Sequence, residues 1–286
     1  MVSRMPNNAK KLLSNIARDS YYCEEKGVGI IRSRRLTAEA GLSHGFTTRL
    51  GGVSKPPFDT LNLGTSRDEP MENILTNYKR LCSAYGLDYN ELALVNHEHG
   101  ARILKLTRED CGRGIYREPL EFSDGLVTND LRVTLVTCHA DCSGFFLYDK
   151  KTRSIGLAHA GWKGMFKRVG QRLTERLYTE YGAQPKDLIA VIAPCICEKC
   201  FEVETGIAED FSKEFDCPDI YTLGEKPGKA YVSLRAAAVI QLTDAGVNKE
   251  NISIMDNCTM EERELFYSYR RDGKGTGSMA SFLRLE

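Results

Sequence analysis

LVTCHADCSGFFLYDKKTRSIGLAHA, residues 135–160, carries the fold in miniature. GFFLYD (144–149) and SIGLAHA (154–160) are short apolar runs bounded by Gly, Asp and Ser, and the charged DKKTRS stretch between them reads as the turn of a hairpin. AGWKG then leads into a helix. Working outward, the same strand pattern recurs at GIIRS (29–33), ELALVN (91–96), ARILKLT (101–107), RVTLVTCHA (132–140), DLIAVIAP (187–194) and NISIMDN (251–257). Helical periodicity falls between these runs, at 71–87, 164–182, 204–215 and 233–246. In the last of these, Ser233 caps one end, Gly246 stops the other, and Leu234, Ala238 and Leu242 mark an apolar stripe. Strands outnumber helices and several pair as hairpins. The expected class is α+β, a layered α/β/β/α arrangement with mixed β-sheets and flanking helices.

The 286 residues are 42% hydrophobic and 27% charged, proportions of a folded chain rather than a disordered or fibrous one. No solenoid repeat and no Pro/Ser/Gly-rich linker divides the chain, which predicts a loosely ordered N-terminal segment over 1–25 and a single catalytic domain over 26–286. Lys plus Arg number 39 and balance 39 Asp plus Glu, so no overall positive field favours nucleic acid or an anionic membrane. MVSRMPNNAKKLLSNIARDS lacks a signal-peptide core, and the longest nearly apolar run, 188–197, is about half a membrane span. A cytoplasmic protein is expected. Its ten cysteines then read as reduced thiols, some buried and a few open to metal binding or nucleophilic chemistry.

Histidine is scarce: His44, His97, His99, His139 and His159 are the whole supply. A multicopper oxidase centre needs roughly twice that number of imidazoles, which excludes it within one subunit; one mononuclear metal remains within reach. Potential ligands sit beside small residues in NHEHG (96–100), CHADC (138–142) and LAHAGWKG (157–164), where there is room around His99, Cys142 and His159. Two imidazoles and a thiolate suit zinc, and three protein ligands leave the open position of a catalytic site. Against this, a histidine near an apolar strand is commonly a hydrogen-bonded core residue, and no HExxH or paired CxxC ties the three together.

CICEKC (195–200) is a second thiol group, with Cys195, Cys197 and Cys200 spaced for metal if Cys217 or Cys258 comes near. FTTRLGGVSKPPFDTLNLG (46–64) reads as a structured loop in which Arg49, beside Gly51 and Gly52, either binds an anion or pairs with a neighbouring acid. Lys163 falls in the first turn of the helix after His159, where anions are stabilised. Trp162, the only tryptophan, is read as core packing beneath the site. Of Arg270 and Arg271, one is expected to face a substrate.

Taken together, HGFTTRLGGVS (44–54), LNLG (61–64), the HG of NHEHG, SDGLVTN (123–129), ADC (140–142), AHAGWKG (158–164) and CTMEERELFYSYRRDGKGTGSMASF (258–282) closely resemble a bacterial family. Its members were described as multicopper polyphenol oxidases or laccases and are now associated with purine nucleoside phosphorylase and adenosine deaminase activities. The pieces occur in the family's order and cover most of the chain from about residue 40 onward. The resemblance implies zinc held by His99, Cys142 and His159. This chain departs from the family pattern at His97, where Gln is common, at His139, at Gly277–Ser278 in place of Gly-Arg, and at Ser233 in place of Asp.

The resemblance further implies phosphorolysis of inosine, guanosine, adenosine or methylthioadenosine, and hydrolytic deamination of adenosine, with purine nucleosides and phosphate as the partners. Zinc on such ligands would lower the pKa of bound water toward neutrality. Asp141, His97 or His139 is then expected to move protons, and Arg49, with Arg270 and Lys163 behind it, to hold phosphate. A competing expectation makes Cys142 a nucleophile and His159 its base, because the family's fold resembles that of cysteine hydrolases and a relative has been linked to peptidoglycan-precursor editing.

Overall fold

Alternation along strands that are buried on both faces gives each sheet two cores, and the computed structural model, which describes residues 7–66 and 68–286, shows where each lies. Strands and helices are numbered here in chain order. One sheet runs β1 (Ala17–Arg18), β15 (Ile252–Ile254), β11 (Ile189–Ile192), β9 (Ser143–Asp149), β10 (Ser154–Ala160), β7 (Gly125–Thr128), β6 (Ile103–Lys105). The second runs β2 (Tyr21–Glu25), β3 (Val28–Arg32), β4 (Leu42–Thr47), β16 (Met279–Leu285), β8 (Thr134–His139), β5 (Leu92–Leu94). A small third sheet holds β12 (Glu202–Glu204), β14 (Lys229–Val232) and β13 (Tyr221–Leu223).

Phe146, Tyr148, Ile155 and Leu157 of the first sheet pack against Phe46, Leu135 and Leu283 of the second, forming the inner layer. One residue along, Phe145, Leu147 and Ala158 face the opposite way, onto α1 (Ala9–Ser14), α5 (Val169–Tyr181) and α7 (Leu234–Asp244). On the far side of the molecule, Ile30, Val136 and Phe282 meet Ile74, Tyr78 and Leu81 of α3 (Met71–Tyr85). Burying each such side chain is worth roughly 1.5–3 kcal/mol. The order of layers is therefore α/β/β/α, a mixed α+β single-domain fold as expected. The β9–β10 hairpin pairs antiparallel with Ser154 opposite Asp149, while β5 with β8, β6 with β7 and β11 with β15 pair in parallel.

Some expectations change. The helix expected over 164–182 is two: α4 (Trp162–Phe166) and α5, separated by Arg168 at φ 58°. Arg168 holds that break by bonding Glu214 through Nε at 2.6 Å and Asp244 at 3.0 Å. Within the segment 1–25, α1, β1 and β2 form from residue 9 onward. Leu12 and Ile16 enter the core, and Ala9 N–H donates to Asp219 at 2.7 Å. Residues 1–6 lie outside the described residues. The short helices α2 (Arg34–Thr37), α6 (Thr205–Glu214) and α8 (Tyr269–Asp272) complete the set. Ser233 caps α7 as expected, its hydroxyl accepting from Ala236 N–H at 3.2 Å. No helix among the described residues is long and apolar enough to cross a membrane.

Candidate metal centre and its cavity

At one end of the sandwich the chain passes between the two large sheets from β5 to β6 and from β8 to β9, and each of these two crossings carries a ligand. His99 lies in the first crossing at φ 57°; Cys142 lies in the second, just after Asp141 at φ 84°. His159, on β10, ends beside them. One donor atom from each of His99, Cys142 and His159 lies within 4.8 Å of the others. Gly161 forms the floor. Its φ of −68° suits any residue, so the requirement for glycine is space: a Cβ there would stand 2.9 Å from His99 Nδ1 and 3.2 Å from Cys142 Sγ. A cradle of two imidazoles and one thiolate, floored by a hydrogen atom, fits a zinc ion with a position left for a further ligand.

Asp124, immediately before β7, organises these groups. Its carboxylate accepts the backbone N–H of His99 at 3.1 Å and of Gly100 at 2.5 Å, and accepts a hydrogen bond from Nδ1–H of His159 at 2.9 Å. Because a carboxylate can only accept, His159 is fixed as the tautomer that leaves Nε2 for a cation or for Cys142. Burial drives the Asp124 carboxyl up, but the bond to His159 and the amides outweigh it and hold it below the usual range. Burial likewise pushes the Cys142 thiol up, yet the charge of His159 and hydrogen bonds from His159 and His99 bring it down to about 6. Burial lowers His159, but the Cys142 charge and the Asp124 bond carry it up to about 9. A thiolate paired with an imidazolium is the charge pattern that a cation replaces on binding.

The other histidines separate cleanly. His139 donates Nδ1–H to the Cys142 carbonyl at 3.1 Å and accepts at Nε2 from Thr137 at 2.8 Å and Ser281 at 3.0 Å; burial takes it down to about 3. Both its nitrogens are engaged and it stays neutral. His97 stacks on His159 with ring centroids 4.2 Å apart, and its buried Nε2 has no hydrogen-bond partner among the described residues. Burial and the neighbouring imidazoles hold His97 well below the ordinary histidine range. His44 lies apart in the core, accepting the Ser33 amide at 3.0 Å.

A cavity of about 720 Å³ opens over the three ligands, lined also by His97, Trp162, Lys163, Phe201, Tyr269 and Arg270. That volume is in the range of small-molecule sites. A smaller hollow of about 470 Å³ beside α1 is lined by neither His nor Cys. Trp162 is not core packing: it is 39% exposed and faces the cavity, because the chain turns outward at Gly161 to start α4. Lys163 Nζ stands 5.6 Å from the Trp162 ring, and Arg270 lies over Phe201 while donating to the Glu202 carbonyl at 2.7 Å. Arg271 instead turns to the carbonyls of Met260 and Phe266. Arg49 is outside the lining: Nε donates to the Asp59 carbonyl at 2.8 Å, one NH2 group pairs with its carboxylate at 3.1 Å, and the guanidinium covers Tyr267. Asp141 lines the cavity, but its carboxylate accepts from Thr259 Oγ1 (2.8 Å), Ser268 Oγ (2.9 Å) and Arg270 N (2.6 Å). Those bonds hold the left-handed turn that presents Cys142. Asp124 is the residue that sequence reasoning missed, although it stands in the SDGLVTN piece.

Known proteins share this arrangement of chain. A family model described as multi-copper polyphenol oxidoreductase laccase matches residues 43–286. The purine nucleoside phosphorylase YlmD of Bacillus subtilis is 33% identical over 244 residues, 85% of this chain and 88% of that protein. The purine nucleoside phosphorylase of Deinococcus radiodurans is 33% identical over 261 residues, 91% of this chain and 94% of that one. Among solved structures, YlmD from Geobacillus stearothermophilus superimposes with a TM-score of 0.87 at 29% identity, covering 94% of this chain and 99% of that chain.

Proposed function

We propose, because the chain belongs to the multi-copper polyphenol oxidoreductase laccase family, that it is a zinc-dependent purine nucleoside phosphorylase that also deaminates adenosine. The observation that carries this reading is the convergence of His99, Cys142 and His159 beneath a cavity of about 720 Å³. The family description names copper, whereas relatives are named for nucleoside phosphorolysis. With His44 in the core and His139 fully hydrogen-bonded, too few imidazoles remain for a multicopper centre, and the three-donor set suits one zinc. His99, Cys142 and His159 would hold the zinc, which would supply Lewis-acid polarisation and a lowered pKa for water.

The remaining work falls to the chain's own side chains. Trp162, Phe201 and Tyr269 offer aromatic faces to a purine, each good stack being worth about 1–3 kcal/mol. Lys163 and Arg270 place positive charge where phosphate enters; Arg49, tied to Asp59, steadies the 49–60 loop instead. In phosphorolysis a phosphate oxygen bonds to the sugar C1′ as the C1′–N9 bond breaks; the electron pair leaves with the base, which takes up a proton. His97 Nε2, buried and without a hydrogen-bond partner among the described residues, serves as a neutral hydrogen-bonding group for the bound nucleoside. In deamination, water adds at C6 and ammonia departs. Asp141 is a positioning residue, and His139 is a neutral prop for the Cys142 turn. Ten free thiols among the described residues accord with a cytoplasmic setting.

One observation favours a second reading. Cys142, His159 and Asp124 form a relay in which the acid orients the base and the base faces the sulfur, as in a cysteine hydrolase. Product analysis on inosine and adenosine, with and without phosphate and beside metal analysis, decides between them. Phosphate-dependent base release by protein carrying zinc that Cys142→Ala loses supports the phosphorylase. Metal-free protein that is acylated at Cys142 and leaves nucleosides intact supports the hydrolase.

A further inference from the structure

Beyond the cavity, a second group of donors closes where two turns meet. Cys197, Cys200, Cys258 and Glu261 each bring one ligand atom within 4.8 Å of all the others. The group is built from adjacent parallel strands: β11 and β15 pair Ile192 with Ile254, and their chains remain bridged at Cys195 and Cys258. Each strand then runs into a turn with donors three residues apart, C-x2-C at 197–200 and C-x2-E at 258–261. The turns are closed by backbone bonds, Cys200 N–H to the Cys197 carbonyl at 3.0 Å and Glu262 N–H to the Cys258 carbonyl at 3.0 Å. Of the partners suggested by spacing, Cys258 is present. Cys195 is buried outside the donor group, and Cys217 lies at Asp219, its Sγ 3.4 Å from that carboxylate.

We propose that Cys197, Cys200, Cys258 and Glu261 bind a structural zinc ion, separate from the cavity. Zn–S bonds of about 2.3 Å set tetrahedral edges of roughly 3.8 Å, so donors already inside 4.8 Å need only small side-chain rotations to close on an ion. One ligand pair already has that spacing, Cys197 Sγ to Glu261 Oε2 at 3.7 Å, and Cys258 Sγ accepts the Cys197 amide at 3.4 Å, a bond that favours thiolate. Four protein ligands fill a tetrahedron and leave no place for substrate, which makes the site structural. Three thiolates and a carboxylate around a dication leave negative charge. The buried guanidinium of Arg235, bonded to the Asn257 carbonyl at 2.9 Å and to Asp256 at 2.9 Å, lies against the same turns to offset it. The ion staples the wall of the cavity: Ile196 and Phe201 flank its ligands on one turn, and Thr259, which bonds Asp141, sits in the other.

The inference stands apart from the nucleoside reading, and metal stoichiometry tests it without any activity. Full-length protein purified under reducing conditions with zinc supplied is expected to hold about two zinc ions, falling to about one in Cys142→Ala, about one in Cys200→Ser and none in the double variant. Should Cys200→Ser fail to fold, Glu261→Gln at the exposed carboxylate and cobalt loading of Cys142→Ala take its place. Cobalt there is expected to show three-thiolate charge-transfer absorption, and Glu261→Gln to release zinc faster to a chelator. Wild-type protein with one zinc, lost in Cys142→Ala and unchanged in Cys200→Ser, overturns the proposal. So does a disulfide among Cys197, Cys200 and Cys258 in freshly purified protein, or a cobalt spectrum without thiolate bands.

Discussion

The two donor groups have only cysteine in common and are assembled from different parts of the fold. Around the cavity, three donors come from two sheet crossings and a strand end, stand over the bare floor of Gly161 and are oriented by Asp124. At the second group, four donors come from two matched turns, with Cys197 and Cys258 buried and the Glu261 carboxylate exposed. The difference is one ligand and the space above it. A vacant corner beneath a cavity makes a metal available to chemistry, whereas a filled tetrahedron makes it a cross-link.

The largest effect expected from breaking this contrast is at Cys142. Cys142→Ala should lower phosphate-dependent base release by roughly a hundredfold or more and remove the cavity zinc while leaving the second site filled. Retained activity in that variant would place the chemistry elsewhere. Next, Gly161→Ala adds one methyl group on a backbone that tolerates it, so the protein should fold and melt normally yet lose cavity zinc and most of its turnover. A normally active, normally loaded Gly161→Ala protein would show the floor is not tight. Asp124→Asn keeps the shape but not the charge that orients His159, and zinc affinity measured by competition should fall about 10–100-fold, with no change at the thiol group. The smallest effect lies outside both groups. His44, unprotonated because burial lowers it to about 3, contributes stability that is complete above its unfolded pKa of about 6.5 and is lost as pH falls toward 3. Between pH 7.5 and pH 5 this amounts to up to about 2 kcal/mol. Urea unfolding of wild type and His44→Gln at the two pH values should show the smaller acid loss in the variant, and equal losses would refute the assignment.

How much of this was legible in the sequence follows the range over which each signal acts. Buried hairpins such as 144–160 announce themselves through continuous apolar runs, and the layered class followed from them. β4 and β16, the middle of the second sheet, leave little local signal: LSHGFT mixes polar and apolar residues, and MASF closes the 258–282 motif with only LRL of the strand beyond it. The break at Arg168 depends on Glu214 and Asp244, more than forty positions away, which no local periodicity reports. His99, Cys142 and His159 stand out as possible ligands beside small residues, but it is the resemblance that binds them into one set, since spacing says little when they come from three distant segments. Asp124 left no local trace, because a buried acid looks like any loop acid until its partners are in place. Trp162 was misjudged for the opposite reason: bulk suggested core, but Gly161 turns the chain outward. At 195–200 the thiols were visible, but their pairing with Cys258 and Glu261 required the parallel pairing of β11 and β15.

The central claim is that a metal with an open position sits between His99, Cys142 and His159. Diffraction from zinc-loaded crystals on either side of the zinc absorption edge tests it most directly. An anomalous peak bonded to one imidazole nitrogen of each histidine and to Cys142 Sγ, with a fourth position facing the cavity, is the predicted result. Full zinc occupancy elsewhere with no peak among those three atoms would contradict it.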